Sequence, residues 1–163
     1  MTSRILAAAC AAFLAAGCGR VVTDERPQVE HFPAVGTSAR AAQAGGFRLP
    51  FSAAVRAGDI LYLSGQIGTR PDGTLAEGME AQARQTMDNI AAVLAAAGLG
   101  WSDVFRCMVM LDDMAQWQAF NRIYVGYFGD GPLPARSALG ADGLALGALV
   151  EVECQAYARA QGR

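Results

Sequence analysis

The chain has 163 residues, a formal net charge of −2, an apolar fraction of 53% and a charged fraction of 17%. This length accommodates one ordinary domain with a real core, and the apolar excess favours surface that is buried by self-association. Nucleic-acid binding needs a basic stripe that contacts phosphates, and the charge balance argues against nucleic acid as a partner.

The first 20 residues, MTSRILAAACAAFLAAGCGR, have the order of parts of an export signal. Arg4 supplies the positive charge, and the apolar run that follows is too short to span a bilayer. LAAGC resembles the lipobox of bacterial lipoproteins, in which the cysteine is lipidated and becomes the mature N-terminus. We therefore predict a signal at residues 1–18 and a lipid anchor on Cys18, which is the chain's only contact with a membrane.

This signal predicts a lipoprotein of the cell envelope that faces the periplasm. Two alternatives stay open: a soluble protein that is secreted or periplasmic, and a cytoplasmic protein whose start site is misassigned. Residues 19–46 predict a tether in which VEHFPAV has the pattern of an edge strand, and residues 47–158 predict the globular domain.

Within the domain, FSAAVRAGDILYLSGQIG predicts a hairpin whose second strand covers residues 60–66. MEAQARQTMDNIAAVLAAAG predicts a helix that ends at Gly98. Its buried stripe recurs at spacings of three and four residues and consists of Met79, Ala83, Met87, Ile90 (or Ala91) and Leu94.

DVFRCMVML predicts a strand that is buried on both faces, because its apolar run is nearly continuous. Asp112 or Asp113 is expected to cap a second helix, MAQWQAFNRIYVGYFG, and strands are predicted at ARSALG and ALVEVECQAYA. The apolar face of the second helix includes Met114, Trp117, Phe120 and Ile123 or Tyr124. Two helices cover only one face of such a sheet, so we predict an α+β fold whose other face is buried in a homo-oligomer.

The cysteine and histidine content bears on disulfides and metals. Cys107 and Cys154 lie in apolar, strand-like segments and are equally compatible with a disulfide or with two free buried thiols. His31 is the only histidine. Because no His/Cys cluster has ligand spacing, we predict no metal site.

The segment PLPARSALGADGLALGALVEVEC contains a single cation, Arg136. An arginine among apolar residues needs an anionic partner, which is either Glu151 or Glu153 of its own chain or a carboxylate of a ligand. Strand alternation puts Glu151 and Glu153 on one face, which fits a polar cleft better than a packed core. We expect Arg136 and Glu151 on neighbouring strands, where the arginine keeps the glutamate ionised.

Five segments together resemble the RidA/YjgF family in their order and spacing: LPFSAAVRAGDILYLSGQIG, EAQARQTMDNIAAVLAAAG, FNRIYVGYF, PARSA and LVEVE. The resemblance covers residues 47–158. It implies a chorismate-mutase-like α+β fold, with a mixed sheet carrying two helices on one face. It also implies a trimeric barrel with ligand clefts between subunits. Active members hydrolyse 2-imino acids, or their enamine tautomers, to 2-oxo acids and ammonia without a metal or organic cofactor.

The same resemblance implies two catalytic residues. Arg136 corresponds to the arginine that holds the substrate carboxylate. Glu151 corresponds to the glutamate that orients the attacking water or transfers a proton near it. The implied substrate-binding positions are Phe51, Ser64, Gly65, Asn121 and Ala138. Two of them depart from the family pattern: many deaminases have tyrosine where this chain has Phe51, and cysteine is frequent where it has Ala138. No histidine in the domain would activate Ser64 as a nucleophile, so we expect a hydrogen bond from it.

Three functions are compatible with this sequence. The first is a deaminase that acts on small 2-imino acids. The second is a non-catalytic protein that binds small carboxylates such as 2-oxo acids, motivated by Phe51 and by the predicted export. The third is a trimer that only displays interaction surfaces. Ribonuclease activity finds no support in the charge balance or in a catalytic histidine pair.

Overall fold

The computed structural model of the protein describes residues 29–33 and 49–158. The predicted signal at 1–18, with Cys18, lies outside the described residues, as does most of the predicted tether. No helix in the part of the chain that is described has the length and apolar character needed to cross a membrane.

The described residues form one mixed sheet of seven strands: β1 (Val29–Phe32), β2 (Ala54–Ala57), β3 (Ile60–Leu63), β4 (Gln66–Ile67), β5 (Val104–Leu111), β6 (Ala135–Gly140) and β7 (Val150–Tyr157). The strand order is β1-β2-β3-β7-β5-β6, and β4 also pairs with β7. The β5–β6 pair is parallel and the other pairs are antiparallel. The edge strand predicted at VEHFPAV is confirmed as β1.

The first predicted helix is confirmed as α1, which spans Gly78–Ala96. Its C-terminus forms a Schellman motif: the Leu99 N–H donates to the Leu94 carbonyl and the Gly98 N–H donates to the Ala95 carbonyl. Gly98 has a φ of 73°, which a glycine adopts without a steric penalty. The predicted stripe is buried, with Met79, Ala83, Met87, Ile90 and Leu94 in the core.

The second predicted helix is shorter than its sequence pattern suggests. The α-helix α2 covers Trp117–Tyr124, and single 3-10 turns precede it at Met114–Gln116 and follow it at Val125–Tyr127. Of the two candidate caps, Asp113 is the one that accepts a hydrogen bond, at 2.8 Å from the Ala115 N–H.

The strand predicted at residues 60–66 is interrupted, which corrects the sequence-based prediction. Tyr62 pairs with Gln155 and Gln66 pairs with Val152, so three residues on one strand face two on the other. An extra residue of this kind is a β-bulge, which bends the strand and redirects its side chains. The bulge lies at Ser64 and Gly65, two of the predicted site residues.

The two faces of the sheet differ in burial. On one face, β3, β5 and β7 pack against α1 and α2 in a single core. On the other, which we call the open face, Tyr62, Leu139 and Tyr157 remain 45–47% exposed. The prediction that β5 is buried on both faces is wrong for the chain by itself, because Phe105 is 41% exposed. Large apolar side chains grouped on one face are typical of a surface that associates.

Cys107 and Cys154 form a disulfide, so the alternative of two free thiols is wrong. The two residues are direct partners across β5 and β7, and each is only 1% exposed. The bond therefore joins two central strands within the core.

Candidate functional site

Arg136 faces the helix-covered side of the sheet. The parallel register of β5 and β6 sets Arg136 opposite Cys107 and Ala138 opposite Val109, and both partners on β5 are buried in the core. Because paired residues in a sheet share a face, Arg136 points toward α2. Ala138, two residues further along β6, packs against the same core.

The guanidinium of Arg136 lies against aromatic rings of α2. Its Cζ atom is 4.5 Å from the ring centroid of Tyr124, 4.7 Å from that of Trp117 and 6.0 Å from that of Phe120. Trp117 and Tyr124 are seven residues apart and so lie on one helix face, two turns from each other. These distances are those of cation–π contacts, which hold a cation without neutralising its charge.

No carboxylate pairs with Arg136 among the described residues. The ion pairs found there join Arg56 to Glu30 and Arg122 to Glu80, each at 3.8 Å. The alternative in which Arg136 locks the sheet through Glu151 or Glu153 is therefore wrong. From the sequence, the aromatic side chains around Arg136 were predicted only as part of the helix core. The seven-residue spacing of Trp117 and Tyr124 was the only sequence signal that they share a face.

Two polar atoms of α2 side chains have no hydrogen-bond partner within residues 29–33 and 49–158. They are Oδ1 of Asn121 and the hydroxyl of Tyr124, both on α2. Burial raises the pKa of Tyr124 to about 12 against the opposing effect of Arg136, so the hydroxyl is neutral at physiological pH. A buried polar atom without a partner is costly, and a bound ligand is one way of satisfying it.

Glu151 lies on β7, on the open face. Its neighbours in the sheet are Ile67 of β4 and Met110 of β5. Half-burial, and secondly the charge of Glu153, raise the pKa of Glu151 above its ordinary value. Glu151 and Glu153 share a face as predicted, but the expectation that Arg136 keeps Glu151 ionised is wrong, because the arginine lies elsewhere.

Gly65 provides the surface against which the Glu151 carboxylate rests. A Cβ added at Gly65 would overlap the Glu151 side chain, so any other residue would displace the carboxylate. The bulge between β3 and β4 thus brings the backbone of Gly65 close to Glu151. Only a glycine fits there, because it has no side chain.

Ser64 makes the hydrogen bond expected of it. Its hydroxyl donates to the Ser52 carbonyl at 2.7 Å, and its N–H donates to the Ala53 carbonyl at 2.9 Å. These bonds fix the segment that carries Phe51, whose side chain is 53% exposed. A third hydrogen bond, at 3.2 Å, joins the His31 ring to the Ser52 hydroxyl, so β1 also holds this segment.

Arg136 and Glu151 do not meet within one chain. The sheet order places β5 between their strands, and the two side chains leave opposite faces of the sheet. The prediction that they lie on neighbouring strands is wrong. Ser64, Gly65 and Glu151 lie together at the bulge, whereas Arg136 and Ala138 face the helix-covered side of the sheet and Asn121 lies on α2 itself. No cluster of three or more His, Cys, Asp or Glu side chains in the described ranges is arranged to hold a metal ion.

Comparison with known proteins gives consistent results. The family profile described as Endoribonuclease L-PSP matches residues 42–158. A RutC family protein of Pyrococcus horikoshii is 39% identical over 110 residues, which are 66% of this chain and 86% of the relative. A mouse protein named 2-iminobutanoate/2-iminopropanoate deaminase is 39% identical over 106 residues, 64% of this chain and 78% of the relative.

The solved structures agree with the sequence relatives. A crystal structure of a Rid family protein of unknown function from Yersinia pestis superposes with a TM-score of 0.65 at 39% identity, covering 66% of this chain and 87% of that one. The sequence resemblance and the α+β architecture are both confirmed. The chain therefore belongs to the RidA/YjgF family, whose profile is described as Endoribonuclease L-PSP.

Proposed function

We propose that the protein hydrolyses small 2-imino acids, or their enamine tautomers, to 2-oxo acids and ammonia. The observation that carries the proposal is Arg136, a half-buried cation that no carboxylate of the described chain neutralises. A guanidinium matches a carboxylate through two parallel hydrogen bonds, so a small organic acid is a suitable partner. The relationship to the mouse deaminase supports the imino acid as that partner.

Glu151 is suited to move the proton. A carboxyl group whose pKa is raised by burial and by Glu153 both accepts and returns a proton more readily near neutral pH than an ordinary glutamate. Water attacks the iminium carbon and gives a proton to Glu151. Glu151 returns that proton to the nitrogen, the C–N bond breaks, and the hydroxyl proton leaves with ammonia as ammonium. The iminium carbon is already electrophilic, so positioning supplies much of the catalysis.

We further propose that the site is completed between copies in a homotrimer. Because Arg136 and Glu151 leave opposite faces of one sheet, a single chain does not offer both to one small molecule. The exposed apolar side chains of the open face support the association that a second copy requires. Ser64 and Gly65 would then line the cleft beside Glu151, while Asn121 and Ala138 would line it beside Arg136.

The test generates 2-imino acids with an amino-acid oxidase and follows ammonia release by the purified protein. We expect acceleration by the wild type, and a loss of at least about 100-fold in kcat/KM for Arg136→Ala, as for a lost charged contact to a substrate. Arg122→Ala is the matched control, since Arg122 lies on α2 and pairs with Glu80 at the surface. Equal rates for the wild type and Arg136→Ala would contradict the proposal.

A second candidate is binding of small carboxylates without turnover. Phe51 favours it, because this position lacks the hydroxyl found in many deaminases and its side chain is exposed beside the bulge. Binding of a 2-oxo acid that is lost in Arg136→Ala, with no ammonia release by the wild type, would establish this function instead.

The predicted location in the cell envelope remains a proposal, with membrane contact through the lipid on Cys18 alone. The buried Cys107–Cys154 disulfide supports it, because such bonds persist in oxidising compartments outside the cytoplasm. Labelling with radioactive palmitate, present in the wild type and absent in Cys18→Ala, tests the anchor; label in neither protein would contradict it.

A further inference from the structure

The guanidinium of Arg136 raises a question of orientation. In many proteins a carboxylate of the same chain fixes an arginine fork, yet Arg136 has no such partner in the described ranges. A flexible arginine would lose side-chain entropy on binding an acid, which weakens the affinity. The contacts that remain to hold this side chain are the aromatic rings of α2.

The ring contacts come from one face of the helix. Trp117 and Tyr124 approach the guanidinium at 4.7 and 4.5 Å, whereas Phe120, between them, lies further away at 6.0 Å. Tyr124 and Phe120 are buried in the core, and the Tyr124 ring also packs on the Phe120 ring with 5.6 Å between centroids. The half-buried Trp117 is therefore the ring whose replacement disturbs the core least.

We infer that Trp117 and Tyr124 are positioning residues that hold the plane of Arg136 ready for a substrate carboxylate, and that Trp117 is the more replaceable of the two. The inference rests on the proposed function, because it assumes that Arg136 binds the acid. The rings hold the cation without cancelling its charge, so its capacity for a carboxylate is retained. A glutamate in their place would fix the fork equally well and occupy it.

The first experiment measures kcat/KM on 2-imino acids and competitive inhibition by pyruvate. Trp117→Leu should weaken pyruvate inhibition about tenfold, which corresponds to about 1.4 kcal/mol and lies within the range for desolvated cation–π contacts. Trp117→Phe retains a ring and should stay within about twofold of the wild type. The matched control is Trp101→Leu, since Trp101 packs on Tyr127 and Phe128 and not on Arg136.

A double-mutant cycle separates positioning from plain packing. Arg136→Lys replaces the planar fork with an ammonium whose donors rotate freely, so holding a plane no longer matters. In that background we expect Trp117→Leu to weaken pyruvate inhibition by less than about twofold. The same tenfold loss in both backgrounds, or no loss in the wild-type background, would overturn the inference while leaving the proposed function in place.

Fluorescence gives a direct readout, because the chain has two tryptophans, Trp101 and Trp117. In Trp101→Phe the remaining fluorophore lies against Arg136, and pyruvate should change its emission with the same concentration dependence as the inhibition. Inhibition without any change in Trp117 emission would overturn the inference. A wild type that neither binds pyruvate nor releases ammonia would remove the proposed function and the inference together.

Discussion

Arg136 and Glu151 are held in contrasting ways. The cation lies on the helix-covered face, against the rings of Trp117 and Tyr124, and its charge is not cancelled. The carboxyl group of Glu151 lies on the open face, against the backbone of Gly65, and burial, followed by the charge of Glu153, raises its pKa. The two side chains are held by different contacts, and the sheet keeps them apart, so they do not neutralise each other within one chain.

The largest expected effect follows from the separation of Arg136 and Glu151 on opposite faces of the sheet. If sites form between copies, Arg136→Ala and Glu151→Gln subunits should complement each other, because a mixed interface recovers one intact arginine and one intact glutamate. Each variant alone should retain about 1% of the activity or less. Co-expressed in equal amounts and randomly assembled in cyclic trimers, they should recover about a quarter of the wild-type sites.

The control for this experiment mixes Arg136→Ala with the double variant Arg136→Ala/Glu151→Gln, which recovers no intact site. Ammonia release from the purified mixtures is the measurement. Activity of the first mixture no higher than that of the second would contradict a site that takes Arg136 from one subunit and Glu151 from another.

Much of the arrangement around Arg136 and Glu151 could be predicted from the sequence. The alternation of VEVE placed Glu151 and Glu153 on one face, as found. The helix periodicity placed Trp117 and Phe120 on one face of α2, also as found, and the family motifs indicated Arg136 and Gly65. The fold class followed from the order of strand and helix patterns, and the structure confirms it.

What the sequence did not reveal was the order of the strands in the sheet. Consecutive strands usually pair, which predicts that β6 and β7 are neighbours. Instead β6 pairs in parallel with β5, and β7 pairs with the other side of β5. The face on which Arg136 lies and the proximity of Cys107 to Cys154 both depend on this arrangement, and no local pattern encodes it.

Gly65 allows the Glu151 side to be disturbed by itself. Gly65→Ala should push the Glu151 carboxylate aside, and a displacement near 1 Å costs about 100-fold in rate when it affects the reacting groups. We expect kcat for ammonia release to fall while inhibition by pyruvate, which depends on Arg136, changes little. Gly126→Ala is the control, since a Cβ there meets no atom within 4 Å. A parallel loss of pyruvate inhibition would show that Gly65 supports the arginine side as well.

The smallest expected effect comes from Glu153. Burial is the larger cause of the raised pKa of Glu151 and the Glu153 charge is the second, so Glu153→Gln should lower that pKa in part. If Glu151 accepts the proton of the attacking water, as proposed, its ionised form is the active one, and the acid limb of the pH profile of kcat should move to lower pH. An acid limb that stays in place would mean that Glu151 does not titrate in the catalytic cycle.

We expect the ionised form of Glu151 to support ammonia release but to lower the stability of the fold. A carboxyl whose pKa is higher in the folded than in the unfolded state binds its proton more tightly when folded. Its contribution is therefore favourable below the unfolded-state pKa and is lost as the pH rises through the folded-state pKa. Glu151→Gln should then raise the free energy of unfolding at neutral pH, with a gain that shrinks in acid, while activity is lost. Denaturant unfolding at several pH values measures this, and a stability gain that does not vary with pH would trace it to packing and not to charge.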